Sequence, residues 1–173
     1  MKEHNFTAED IANVHINPDS VGWQLASSPW QEKLNPQTAY ACQFSLPYLV
    51  ATVAYDKDVF LTSFTPEARA RQDVRDLMTR ISAKRDPSLP PWAARVTTTL
   101  KDGRKYSREV PHAKGHPKIP FTESELIEKF KACVPYSAYK LSDKAVDSVI
   151  RTLLNLEAVD DVVSDLILPL TPK

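Results

Sequence analysis

A chain of 173 residues, 42% hydrophobic and 25% charged, suits one globular core and excludes a wholly disordered segment. Its 22 basic and 22 acidic residues cancel, which argues against nucleic acid as the main partner. Its three glycines, Gly22, Gly103 and Gly115, lie too far apart for a phosphate-cradling loop or a dinucleotide fingerprint, and no G-x-S-x-G elbow occurs.

The N-terminus, "MKEHNFTAEDIANV", carries no signal-peptide core, so the expected location is the cytoplasm. "DIANVHIN" (Asp10 to Asn17) predicts a strand with Val14 and Ile16 on one face. The next stretch, Pro18 to Tyr40, holds Pro18, Pro29, Pro36 and Gly22 without a clean period and reads as a long loop. Trp23 and Trp30 in it either pin the loop to the core or serve an interface.

Ser45 is placed to cap a helix with Pro47 in its first turn, where the missing N–H costs nothing. Leu46 to Ala54 is apolar nearly all round, which predicts a buried central helix. The apolar run as far as Tyr55 is too short to cross a bilayer. Thr65 and Pro66 open a short helix, and Val74, Leu77, Met78 and Ile81 form the stripe of the next.

"AARVTTTLKDGRKYSREV" predicts a β-hairpin. A three-residue loop, Lys101-Asp102-Gly103, sets Ala94, Val96 and Thr98 opposite Val110, Arg108 and Tyr106, keeping more apolar groups together than a two-residue loop would. It requires φ > 0 at Gly103. Lys101, Arg104, Lys105 and Arg108 then read as a solvated edge and tip rather than an RNA-binding ribbon.

Thr122 and Glu125 form a capping box, with Phe121 and Leu126 as a staple. Leu126, Ile127, Phe130, Cys133 and Val134 follow as a stripe. Ser142 caps a further helix with Val146, Val149, Ile150, Leu153 and Leu154 inward. A last one carries Val159, Val162, Val163, Leu166 and Ile167, with Asp160, Asp161 and Asp165 as a solvated face. The whole predicts an α+β fold: a small antiparallel sheet with a β-hairpin, packed against helices and followed by C-terminal helices. Cys42 and Cys133 read as two reduced thiols.

Chemistry concentrates in "HAKGHPKIP". His112 and His116 do not share a helix face, because Gly115 and Pro117 break any helix there, and no carboxylate or thiol stands at ligand spacing. No metal is expected. His116, after a flexible glycine and before a rigid proline, suits a proton carrier or an anion contact, and Lys114 beside it favours an anionic ligand. The residues alone lead to an α+β domain with a His/Lys loop.

"NPQTAYACQFSLPY" (Asn35 to Tyr48), "VTTTLKDGRKYSREV", "KGHPKIPFTESELIEKF" and "LLNLEAVDDV", in that order, resemble the smaller domain and C-terminal end of the MmgE/PrpD family. That family includes lyases and dehydratases of 2-methylcitrate and cis-aconitate. The resemblance implies a lid-like α+β domain over residues 1–135. Residues 136–173 then form C-terminal helices packing on a large helical domain that lies outside this stretch or on a separate chain. It also implies a small di- or tricarboxylate substrate and no cofactor. No membrane partner is expected from the short apolar run, and a homo-oligomer stays open. His116 matches the family's Gly-His pair and is carried over as the catalytic candidate. Gln43, Ser45 and Lys114 are carried over as substrate-binding candidates. The resemblance sets a histidine of the 2-methylcitrate and cis-aconitate enzymes at the position of Phe44, and phenylalanine cannot transfer a proton. A free-standing binding or regulatory module derived from such a lid is the alternative function.

Overall fold

Strand β1 (Ile11–Pro18) buries Ile11, Val14 and Ile16. A strict two-residue alternation would not put Ile11 and Val14 on one face. A register shift between Ile11 and Asn13 supplies the extra residue that does. In the computed structural model, which describes residues 1–171 apart from the Lys2 side chain, β1 is the second strand of a sheet ordered β2-β1-β3-β4. β3 (Ala94–Leu100) pairs antiparallel with β1, and β4 (Lys105–Val110) antiparallel with β3. The hairpin has the register that apolar matching predicts: Ala94 faces Val110, Val96 faces Arg108 and Thr98 faces Tyr106. Gly103 has φ +89°, and its N–H donates to the Leu100 carbonyl at 3.0 Å.

Two expectations are corrected in this sheet. It is not wholly antiparallel, because β2 (Ile81–Ala83) runs parallel to β1, with Val14 opposite Ile81. Ile81 therefore belongs to a strand and not to the preceding helix stripe. A three-residue strand is too short to announce itself by alternation.

The stretch 18–40, expected as a loop, winds into short helices: α1 (Ser20–Ala26), α2 (Trp30–Leu34) and the start of α3 (Ala39–Gln43). Their starts are local. Asp19 accepts from the Val21 and Gly22 amides, and Thr38 accepts from the Ala41 amide. Five to seven residues give too few turns to show a 3.6 period. Trp30 packs against the core and so pins this segment.

α4 (Leu46–Asp56) begins at Ser45 and buries Tyr48, Ala51 and Ala54 against α6 (Gln72–Met78), whose Val74, Leu77 and Met78 are buried. Between them α5 (Pro66–Arg69) is capped by Thr65. The two core helices are also linked by charge. Arg71 donates to both oxygens of Asp56, at 2.6 and 2.8 Å, and to both of Asp73, at 3.1 and 2.7 Å. The hydrogen bonds from Arg71 hold the Asp73 carboxyl below its ordinary range. A depressed value means the pair stabilises the fold above the unfolded carboxyl's titration and fades as pH falls through the folded one. With side chains 33% and 43% exposed, the pair is screened to about 1 kcal/mol or less. Asp73→Asn is thus expected to melt a few degrees below the parent at pH 7. The gap should narrow on acidification toward pH 3 in paired thermal melts.

Two compact units are resolved, Met1–His116 and Pro117 onward. In the second unit α7 (Glu123–Cys133) starts at the Thr122/Glu125 capping box and α8 (Asp143–Leu154) at Ser142. Lys131 and Asp147 join them at 3.3 Å. The last expected helix is instead a π-helical turn, Val163–Ile167, followed by a 3-10 turn, Leu168–Leu170. Asp161 caps that turn through the Val163 and Ser164 amides, so it is a cap and not simply a solvated charge. Leu126, Leu153, Leu154, Val163 and Leu168 are about half exposed. Residues 172 and 173 of the expected C-terminal segment lie outside the described residues. No helix among the described residues is long and apolar enough to cross a membrane.

Candidate functional site

Two places in the first unit carry the candidate residues. The α3–α4 corner holds Gln43 and Ser45. Gln43 ends α3 and is exposed. Ser45 is fully buried: its hydroxyl donates to the Lys33 carbonyl at 2.6 Å and accepts the Tyr48 amide at 3.2 Å. The structure thus gives Ser45 a capping role that ties α2 to α4, and leaves Gln43 as the corner's outward polar group. Phe44 between them tilts against Tyr40, with ring centroids 5.0 Å apart. Cys42 is buried under the corner, and burial pushes its thiol up, although Arg69 and Arg75 pull the other way. Such a thiol is inert at neutral pH. Arg69 also braces the segment by donating from Nη1 to the Gln37 carbonyl at 2.7 Å.

The second place is the loop after β4. The His116 amide donates to the Ala113 carbonyl at 3.1 Å, and Gly115 has φ +92°. This is a tight turn with Lys114 and Gly115 at its centre, of the kind that needs a positive φ at its third residue. It folds His116 back onto His112. The two imidazoles stack with centroids 4.3 Å apart and planes 9° from parallel. Both rings are half-buried and Lys114 is exposed.

The stack bears on the metal question. Imidazole lone pairs lie in the ring plane, so two parallel rings point theirs along separate planes and do not converge on one ion. Among the described residues no group of three or more His, Cys, Asp or Glu side chains is placed to hold a metal. What the loop offers instead is a ring with hydrogen-bonding nitrogens on its perimeter beside an exposed ammonium, a pairing suited to a carboxylate. The i, i+4 spacing of the two histidines does not announce their stacking. A turn signal at Lys114-Gly115 would have found it.

A further aromatic group lies outside both places. His4 and Phe6 both stack on Tyr106, at 4.2 and 5.4 Å, and Glu3 pairs with Arg108 at 3.0 Å. This group fastens the N-terminal segment to β4.

Comparison with known proteins bears directly on these places. The family model for the MmgE/PrpD C-terminal domain matches residues 1–156, which include both. Human cis-aconitate decarboxylase is 27% identical over 130 residues, covering 73% of this chain and 26% of the human protein. Mouse cis-aconitate decarboxylase is 25% identical over 160 residues, covering 90% of this chain and 31% of the mouse protein. The chain therefore spans about a quarter to a third of the length of these relatives. With its α+β layer, its "NPQTAYACQFSLPY" corner and its Gly-His loop inside the matched region, the chain belongs to the MmgE/PrpD family, as a C-terminal domain of it.

Proposed function

We propose that this chain is the lid-like C-terminal portion of an MmgE/PrpD-type lyase, dehydratase or isomerase acting on a di- or tricarboxylate. Turnover on this reading requires a helical portion outside these residues. The observation that carries it is the C-terminal-domain match over residues 1–156 in a chain that spans only 26–31% of the related decarboxylases. Elimination or decarboxylation beside a carboxylate by acid/base residues needs a proton donor and an acceptor within hydrogen-bond reach of the substrate, and needs neither metal nor nucleotide. In the two candidate places His116 is the candidate to move a proton, stacked on His112, and Phe44 has none to give. One positioned acid/base contributes about 10²–10⁴-fold, against the ~10⁶-fold or more that enzymes reach. Lys114 and Gln43 supply a cation and an amide for carboxylate binding, not the missing catalytic groups. The half-exposed leucines and valines of the second unit give the proposed helical portion an apolar surface to cover.

The test is product formation from cis-aconitate and from 2-methylcitrate, followed by proton NMR. The purified chain is assayed alone and together with a co-expressed helical portion. No product is expected from the chain alone, and turnover should appear only with its complement. Full turnover by the chain alone would overturn the proposal. Weak carboxylate binding with no gain from any helical partner would favour a free-standing binding module.

A further inference from the structure

The backbone of His116 is already constrained. Its amide closes the turn to Ala113, Gly115 supplies the positive φ, and a residue before proline, as His116 is before Pro117, is sterically disfavoured from the helical region. The orientation of its ring is a matter of two side-chain torsions. The parallel His112 ring at 4.3 Å restricts both, because rotation about either would drive the His116 imidazole into that ring or away from it.

We propose that His112 is the positioning residue of His116: its ring fixes the plane in which the His116 nitrogens meet a carboxylate. The inference rests on the reading of His116 as a carboxylate-facing group. A face-stacked ring keeps its two nitrogens on its perimeter, so the stack orients His116 without using up its hydrogen-bonding edge. Orientation matters because a side chain ordered before binding loses less rotamer entropy when the ligand arrives. The contribution is aromatic, so it belongs to the ring face of His112 and not to its nitrogens. A phenyl ring should therefore replace it and a methyl should not. His112→Ala is expected to weaken carboxylate binding about 3- to 10-fold, the range of an aromatic pair, and His112→Phe to restore it.

The experiment uses the full chain with labelled histidine and citrate as the probe, at one fixed pH. Side-chain NMR is recorded for the parent, His112→Ala, His112→Phe and His116→Ala, the last serving to assign the His116 resonances. In the parent, the His116 ring protons should be displaced upfield by the facing ring and should show cross-relaxation to His112. Both signatures should vanish in His112→Ala, while the upfield displacement persists in His112→Phe. Unchanged His116 resonances and unchanged citrate affinity in His112→Ala would overturn the proposal. Equal weakening by Ala and Phe would also overturn it, because His112 would then act through its own nitrogens. The expected resonance changes without citrate binding in any variant would uphold the positioning and defeat the carboxylate reading, so the two failures are distinguishable.

Discussion

Leu77→Ala is expected to destabilise the first unit by about 3 kcal/mol and to lower its melting temperature by about 10 °C. Leu77 is fully buried on α6, between Val74 and Met78 of the same buried face and opposite α4, where Ala51 is fully buried. Removing most of its side chain forfeits the transfer of those carbons out of water and leaves a cavity. The neighbours cannot fill that cavity easily. Ala51 carries only a methyl group with no rotamer to change, and Tyr48 is held by the hydrogen bond from its hydroxyl to the Ser63 carbonyl. The matched control is Leu126→Ala on α7. Leu126 is 56% exposed, and this change should cost under about 0.5 kcal/mol. Thermal unfolding followed by far-ultraviolet circular dichroism reads both. A Leu77 variant that melts within about 2 °C of the parent would show that α6 is not packed as described.

The elements that were legible in the sequence are those specified by a few adjacent residues. Ser45, Thr65, Thr122 and Ser142 each accept an amide of the first turn of their helix. A cap is a local hydrogen bond between neighbours in the chain, so it can be read without knowing what the helix packs on. The hairpin was legible for the same reason: one glycine and a one-residue difference in loop length decide which face every side chain takes. Elements that depend on distant partners were not legible. β2 exists because Val14 and Ile16 offer an edge to Ile81 and Ala83, more than sixty residues away. The bulge that lets Ile11 share a face with Val14 is likewise a property of the pairing with β3. At the other end, the stripe from Val159 to Ile167 predicts a regular helix. Asp161 instead gathers the Val163 and Ser164 amides, and Pro169 sits in the turn that follows.

The candidate site divides along the same line. His116 and Lys114 could be singled out by residue type, and the Gly-His pair by resemblance. That His112 stacks on His116 depends on a turn closed by one backbone hydrogen bond and one positive φ, which spacing alone does not specify. Ser45 shows the reverse case. As part of "NPQTAYACQFSLPY" it reads by resemblance as a ligand group, and as an N-cap it reads as structure. Its full burial and its bonds to Lys33 and Tyr48 favour the cap.

The hairpin turn gives the second large effect. Gly103→Val is expected to cost about 2 kcal/mol, while Gly22→Ala should stay within about 1 kcal/mol of the parent. Nothing stands within 4 Å of where a Gly103 Cβ would be, so the cost is not steric crowding by the rest of the fold. It comes from the backbone: φ is +89°, a region in which a β-branched residue is strained whatever the space around it. The strain cannot be relieved by slipping the register, since a one-residue slip turns Val96 and Tyr106, both packed on the core, to the opposite face. Gly22 presents the opposite balance. It sits in α1, where alanine gains up to ~1 kcal/mol of helix propensity, but its Cβ would approach the Asp19 carboxylate oxygen to 3.0 Å and Pro18 Cβ to 3.4 Å. That oxygen is the acceptor for the Gly22 amide, so the gain is offset by a loosened cap. Gly103→Asn supplies the internal check, because asparagine tolerates positive φ far better than valine. The parent should melt highest, Gly103→Asn below it and Gly103→Val lowest, with Gly22→Ala near the parent. Equal melting of the two Gly103 variants would mean that the turn does not hold this position at positive φ, and the register argued from it would fall.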